Sequence, residues 1–408
     1  MKNQFVAVAV GIVCPIQIMY AAGIENSDQS ISAFLEPGNY TEVSFAYVDA
    51  QVDGKVLNQG LISELGITDF STGNLAHQQF SGKFALKIQP HENISAGVIY
   101  EQPFHTDISY QYSPRLPDGS NIDIESADIN FRTHNLTGLV GYQPNKNWNI
   151  YSGLSLQTFK ADLKISGQQY AALNGYHADF KQNEALGWLL GLSYQIPEYA
   201  IKTSLTYRSK IKHENTTSES TLYSNGPFQL VPDTHTSIQT PQSVNFDFQT
   251  AISPHNVVYG TVRWINWKDF NIQPPQFNAV LQYAALDPQY RDLADIQLVE
   301  YQKDQWSGKL GIAHQFNPSW LAAAEFIWDN GTGNAVSTLN PSDGYRGLGL
   351  GMMYKFNPNN FLATGLYYMK LSKPSNTEKS HISGLASVSD NDAMIYGLKF
   401  GHTFVSVR

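Results

Sequence analysis

Two kinds of connection alternate along this chain, and that rhythm restricts its fold more than any motif does. Six short turns built on Pro with Asn, His, Ser or Glu recur, at 89–91, 143–147, 196–198, 253–256, 317–319 and 357–360. Pro presets φ for a turn and Asn tolerates the left-handed region, so each is a turn with a mechanism. Between successive turns the chain passes through an alternating segment, a longer polar loop and a second alternating segment. The long loops fall near 57–75, 106–121, 166–181, 215–237, 271–297, 332–343 and 373–391. Seven loops and six turns predict fourteen strands, with both ends on the short-turn side. Short turns on one rim and long loops on the other make an all-β fold, a transmembrane antiparallel β-barrel. A soluble sandwich has no reason to separate them so strictly.

The side-chain alternation agrees. In 201–212, Ile201, Thr203, Leu205, Tyr207, Ser209 and Ile211 share one face, and Lys202, Ser204, Thr206, Arg208, Lys210 and Lys212 share the other. A Lys or Arg turned to lipid costs about 2–4 kcal/mol at the bilayer midplane, so the basic row is expected to face a wet lumen. By the same alternation Lys210, Arg263 and Lys309 point inward. Segment 348–356 sets Leu348, Leu350 and Met352 against Gly349 and Gly351, and the last strand sets Tyr396, Leu398 and Phe400 against Gly397, Lys399 and Gly401. Trp148, Trp264, Trp267, Trp320 and Trp328 lie near strand ends and suit interfacial girdles. Composition fits this picture: charged residues are 15% and aromatics 12% of 408 residues. So many aromatics exclude disorder. Past the first twenty or so positions no run of about 18 apolar residues offers a transmembrane helix. A net charge of −9 without a basic block excludes nucleic acid as a partner.

Residues 1–21 read as a secretory signal peptide: Lys2, an apolar stretch over 5–19, then Ala21-Ala22-Gly23. The single cysteine, Cys14, lies inside it, so the mature chain is expected to be cysteine-free. Residues 22–40 are expected to form a short amino-terminal plug and 41–408 the barrel.

Several segments then resemble one family, the FadL/TodX-type outer-membrane transporters of long-chain fatty acids and hydrocarbons. Leu205-Thr206-Tyr207-Arg208-Ser209 resembles a strand of that family, and 262–270, with Trp267-Lys268-Asp269-Phe270, resembles its strand ending in W-x-x-F. Lys303-Asp304-Gln305-Trp306, followed by Leu310-Gly311, is similar to its K-D-x-aromatic strand start, and 342–346 and 101–104 fit weaker patterns. The resemblance implies a fourteen-stranded barrel with a plug, in agreement with the independent strand count. It also implies uptake of a fatty acid or similar hydrophobic ligand through the lumen, with release sideways through the wall into the outer-membrane lipids. It places the ligand carboxylate at Arg208 and Lys303 and an acidic lumen position at Asp329. Lys210, Arg263 and Lys309 would add to the field. The family's exit lies in a kinked third strand, which Pro103 would mark, because Pro deletes a ladder donor. The plug is shorter than the family's, with Glu36-Pro37-Gly38-Asn39 in place of N-P-A, Ile24 stands where the family has an aromatic, and 405–408 extend past Phe404.

No enzyme motif is present: there is no G-x-S-x-G, no P-loop and no H-E-x-x-H. The 11 His are scattered, so neither metal nor cofactor is expected. A monomer in the outer membrane of a Gram-negative cell is the expected form. A general porin, or a surface receptor for phage or adhesion using the long loops, is the alternative function.

Overall fold

The computed structural model describes residues 25–56, 63–222, 230–333, 343–372, 385–388 and 391–404. Among them fourteen antiparallel strands close into one barrel. They are β1 (Asn39–Gln51), β2 (Gln79–His91), β3 (94–112), β4 (Glu125–Tyr142), β5 (Trp148–Ser166), β6 (Tyr176–Ile196) and β7 (201–220). The second half comprises β8 (234–253), β9 (Asn256–Ile265), β10 (Gln305–Gln315), β11 (Trp320–Asp329), β12 (Tyr345–Asn357), β13 (Asn360–Leu371) and β14 (Asp392–Phe404). The cylinder shuts where β1 pairs with β14, from Asn39↔Phe404 to Gln51↔Asp392. Closure satisfies both edges, which is what lets a sheet stand in hydrocarbon. The expected signal peptide, Cys14 and the carboxy-terminal 405–408 lie outside the described residues.

The six short turns fall where the Pro and Asn residues place them. In 317–320 and 357–360 an Asn side chain accepts the N–H groups two and three residues on: Asn317 those of Ser319 and Trp320, Asn357 those of Asn359 and Asn360. The opposite rim departs from expectation. Residues 106–112, 166, 176–181, 215–220 and 234–237, expected in loops, are strand. Neighbouring backbones keep pairing above the lipid-facing rows, so polar alternation there continues the sheet instead of ending it. The long connection 266–304 carries the helix α1 (Pro275–Ala284), with Pro at its first turn.

The outer face carries the lipid-facing rows: Leu186, Leu348 and Leu350 are 69%, 66% and 67% exposed. Aromatic pairs mark the short-turn rim, Trp148 on Tyr194 and Trp320 on Tyr354, each with ring centroids 4.6 Å apart. Trp267 does not belong to this girdle. It is fully buried, in a 3₁₀ turn that folds inward, against Phe104, Phe270 and Tyr301.

A second correction concerns β7. Ser204, Thr206 and Arg208 face inward as expected, but Lys210 and Lys212 are exposed while Ile211 and His213 are buried. Ser209 and Lys210 drop out of the ladder with β8, opposite Pro241 and Gln242, between the pairs Arg208↔Ser243 and Ile211↔Thr240. The inward position thus moves by one residue, which turns every later side chain to the other face. Pro241 has no N–H to keep the ladder continuous.

Candidate ligand-binding lumen

Viewed down its axis the lumen has three storeys. On the long-loop side it is packed with apolar groups, among them Phe104, Phe131, Phe159, Trp267, Phe277 and Tyr301. Asp304 holds one wall of this vault: its carboxylate accepts bonds from Trp264 Nε1 (3.1 Å), Asn266 Nδ2 (3.0 Å) and the Lys268 N–H (3.3 Å). That arrangement fixes the Trp267–Phe270 turn.

Below lies a charged belt, and it is occupied by the chain's own amino-terminal segment. Residues 25–38 run inside the barrel, and Glu25 to Ser30 are all buried. Arg263, fully buried on β9, gives Glu25 Oε1 two bonds, from Nε (2.9 Å) and Nη2 (2.6 Å). It also reaches Gln29 Oε1 at 2.8 Å and Asn245 Oδ1 at 2.5 Å. Lys309 lies 3.6 Å from Asp28. Arg208 donates to the Gln29 carbonyl at 2.8 Å and stands 3.8 Å from Glu101. Lys83 donates to the Ser30 carbonyl at 2.7 Å. Charges this deep persist only when paired and hydrogen-bonded, and here the plug supplies most of the partners.

The third storey is a hydrophobic latch with polar cavities beside it. Phe34 is buried edge-on to Tyr151. Gly97 and Gly141 make its seat, since a Cβ at Gly97 would lie 2.8 Å from the Phe34 ring and 2.9 Å from the Leu86 carbonyl. Lys202 donates to the Leu35 carbonyl at 2.8 Å, and Lys87 donates to that of Glu36. A polar cavity lies beside the plug, bordered by Glu42, Lys202, Asp247, Lys309 and Lys399.

Pro103 interrupts β3 rather than ending it. The ladder with β4 breaks at 102–104 and resumes at His105↔Arg132. On the other side β3 pairs with β2 only up to Tyr100↔Phe84, leaving 79–83 of β2 without a β3 partner strand. The plug lines this gap: the Asn26 N–H donates to the Pro103 carbonyl (2.8 Å), Glu25 bridges to Phe104, and Ser27 Oγ donates to Glu101 (2.8 Å).

Of the residues singled out in the sequence, Arg208, Arg263 and Lys309 meet in the belt. Asp329 is buried near Glu25 but bonds to none of the three, accepting the Gly331 N–H (2.7 Å) and a bond from Gln305. Lys303 is exposed beside it, donating to the Asn330 carbonyl at 3.0 Å, and does not join Arg208. Lys210 sits outside for the reason given above. Glu25, Asp28, Gln29, Glu101 and Asn245 went unseen. For the first two a signal existed, since an acidic pair in a segment expected inside the lumen has to meet the inward basic row.

A closed barrel with a lipid-facing skin, an internal plug and a gap in its wall defines an outer-membrane transport channel. The sequence profile of the outer membrane protein transport family (OMPP1/FadL/TodX) matches residues 32–404, and the chain belongs to that family and to the outer membrane. Its fold matches a Pseudomonas aeruginosa FadL homologue at 13% identity, TM-score 0.65, over 92% of both chains. It also matches the Pseudomonas putida toluene transporter TodX at 12% identity, TM-score 0.60, over 97% of this chain and 98% of that one. The Ralstonia pickettii toluene transporter TbuX aligns at 12% identity, TM-score 0.57, over 95% and 96%. No curated protein matches by sequence.

Proposed function

We propose that the protein takes up long-chain fatty acids or similar hydrophobic compounds, holding them in the lumen and releasing them sideways as a monomer. Cleavage after residue 21, a plug over 22–40 and a barrel over 41–408 complete this reading. The observation that carries it is the belt, where Arg208, Arg263 and Lys309 lie directly beneath an apolar vault. An alkyl chain buried in the vault would gain about 0.8 kcal/mol per methylene. Its carboxylate would take the place of Glu25 on Arg263 or of the Gln29 carbonyl on Arg208, since Arg grips carboxylates bidentately. Losing Glu25 from Arg263 frees the segment that bridges Phe104, so ligand capture and opening at Pro103 are one event. Lys303 and Asp329, at the outer mouth, would act on the way in, whereas Lys210 is reserved for the outer surface.

The test compares binding of radiolabelled oleate and of toluene to purified protein. Arg208→Ala removes a charged hydrogen bond worth about 1.5–3 kcal/mol, so oleate should bind at least about tenfold more weakly while toluene binding is unchanged. Arg208→Lys should recover part of the loss. Equal oleate affinity in Arg208→Ala would refute the carboxylate reading.

A further inference from the structure

The ladder of the wall is interrupted at a second place. Between β6 and β7 the ladder runs from Ile196↔Ile201 to Leu189↔Arg208 and resumes only at Phe180↔Thr217. Past the Ser209 N–H, which still donates to the Trp188 carbonyl (2.9 Å), side chains link the two strands: Asn183 Nδ2 donates to the Glu214 carbonyl (3.0 Å), Asn215 Nδ2 to that of Lys181 (2.9 Å), and His213 Nδ1 lies 3.2 Å from Asn183 Oδ1. The interruption starts at the height of the β3 gap. Tyr100, the last β3 residue before it, registers with Leu136 on β4, Leu156 on β5 and Leu186 on β6. Those three leucines are 48%, 41% and 69% exposed, so the row faces lipid.

Backbone left unpaired at membrane depth is tolerated only where protein covers it or it lines a cavity. Here a small, narrow chamber lies behind the interruption, bordered by Gln29, Phe104, Gln157, Arg208 and Ile211, and by Trp188, which is 49% exposed outside. Phe104 belongs to the β3 kink and Gln29 to the plug, so one chamber touches both interruptions. Across the lumen Glu101 and Arg208 flank them, 3.8 Å apart. Ile211 packs into the β6–β7 interruption beside Ser209. Ile211 leans over Gly187, where a Cβ would meet Ile211 Cδ1 and Cγ1 at 2.6 Å, while Trp188 and Tyr207 meet outside at a tilt with ring centroids 5.2 Å apart.

We infer that the β6–β7 interruption is a second lateral portal, wedged shut by Ile211, through which a hydrophobic ligand with one polar head passes between the lumen and the lipid. The apolar part would slide past Ile211 and Trp188. The head would exchange hydrogen bonds with Gln157 and Thr240, already 2.8 Å apart in the wall of the chamber. The inference rests on the transport reading above. The ladder interruption and the phase reversal in β7 then share one purpose, since the reversal is what turns Ile211 inward.

The experiment locks each gap separately in full-length protein in cells and follows uptake of radiolabelled oleate and of toluene, with and without reductant. The β6–β7 lock is Gly187→Cys with Ile211→Cys, and the β2–β3 lock is Gly82→Cys with Gln102→Cys. Oxidising the first pair should lower uptake by about half or more, with recovery on reduction, and Ile211→Ala alone should raise it about twofold. Recovery on reduction shows that the barrel is folded. Unchanged uptake with the β6–β7 lock, while the β2–β3 lock stops it, would overturn the second portal and leave lateral transport standing. Indifference to both locks would overturn lateral release and the portal with it.

Discussion

Removing Glu25 tests how the plug is held. Its carboxylate takes two bonds from an arginine that is fully buried, and Glu25 itself is 1% exposed. In Glu25→Ala, Arg263 keeps Gln29 Oε1 and Asn245 Oδ1 but loses its counter-charge. Breaking a buried pair from one side costs about 3–5 kcal/mol, and each 1.4 kcal/mol is tenfold in population. The docked plug should therefore give way to its released form by a factor of about 100 to 4,000. Ala33, 2% exposed beside Phe34, is the reporter: as Ala33→Cys it reacts with a thiol reagent only when the segment leaves its seat. Glu25→Ala should speed labelling of that cysteine by the same factor, because labelling follows the open population when reseating is fast. Pairing Glu25→Ala with Arg263→Met removes the stranded charge and should restore much of the protection. Unchanged labelling in Glu25→Ala would refute the belt as the plug's anchor.

Two further outcomes follow from the wall and the vault. Leu348→Arg, on a lipid-facing leucine, should lower unfolding stability in lipid vesicles by about 2–4 kcal/mol, read from urea titration. Asp304→Ala strands three donors around the Trp267 turn, so the folded barrel should lose at least about 1.5–3 kcal/mol and shift to the unfolded electrophoretic form at lower temperature.

Strand number, rim polarity and the faces of β12 and β14 could be read from the sequence because Pro–Asn turns and two-residue alternation are local properties. Arg263 and Lys309 were legible for the same reason. Lys210 was not, since its side depends on a lapse in the ladder with β8 that no local pattern announces. Trp267 looked interfacial because it follows a strand end, and only the staple from Asp304, 37 residues later, turns it inward. Glu25 is 238 residues from Arg263, a separation over which spacing carries no information, and only charge balance hinted at their meeting.

The plug's partners also bear on biogenesis. Lys83 stands on β2, Arg208 on β7, Arg263 on β9 and Lys309 on β10, so the docking site comes from strands on different sides of the cylinder. It does not exist until β14 has zipped onto β1 and the curvature is complete. The first residues to leave the translocation machinery are thus among the last to settle, and contacts of such range form slowly. A barrel stalled with its seam open would leave Glu25 and Asp28 in water, within reach of periplasmic proteases, while a finished one hides them. Seating of the plug is a built-in certificate that assembly has ended.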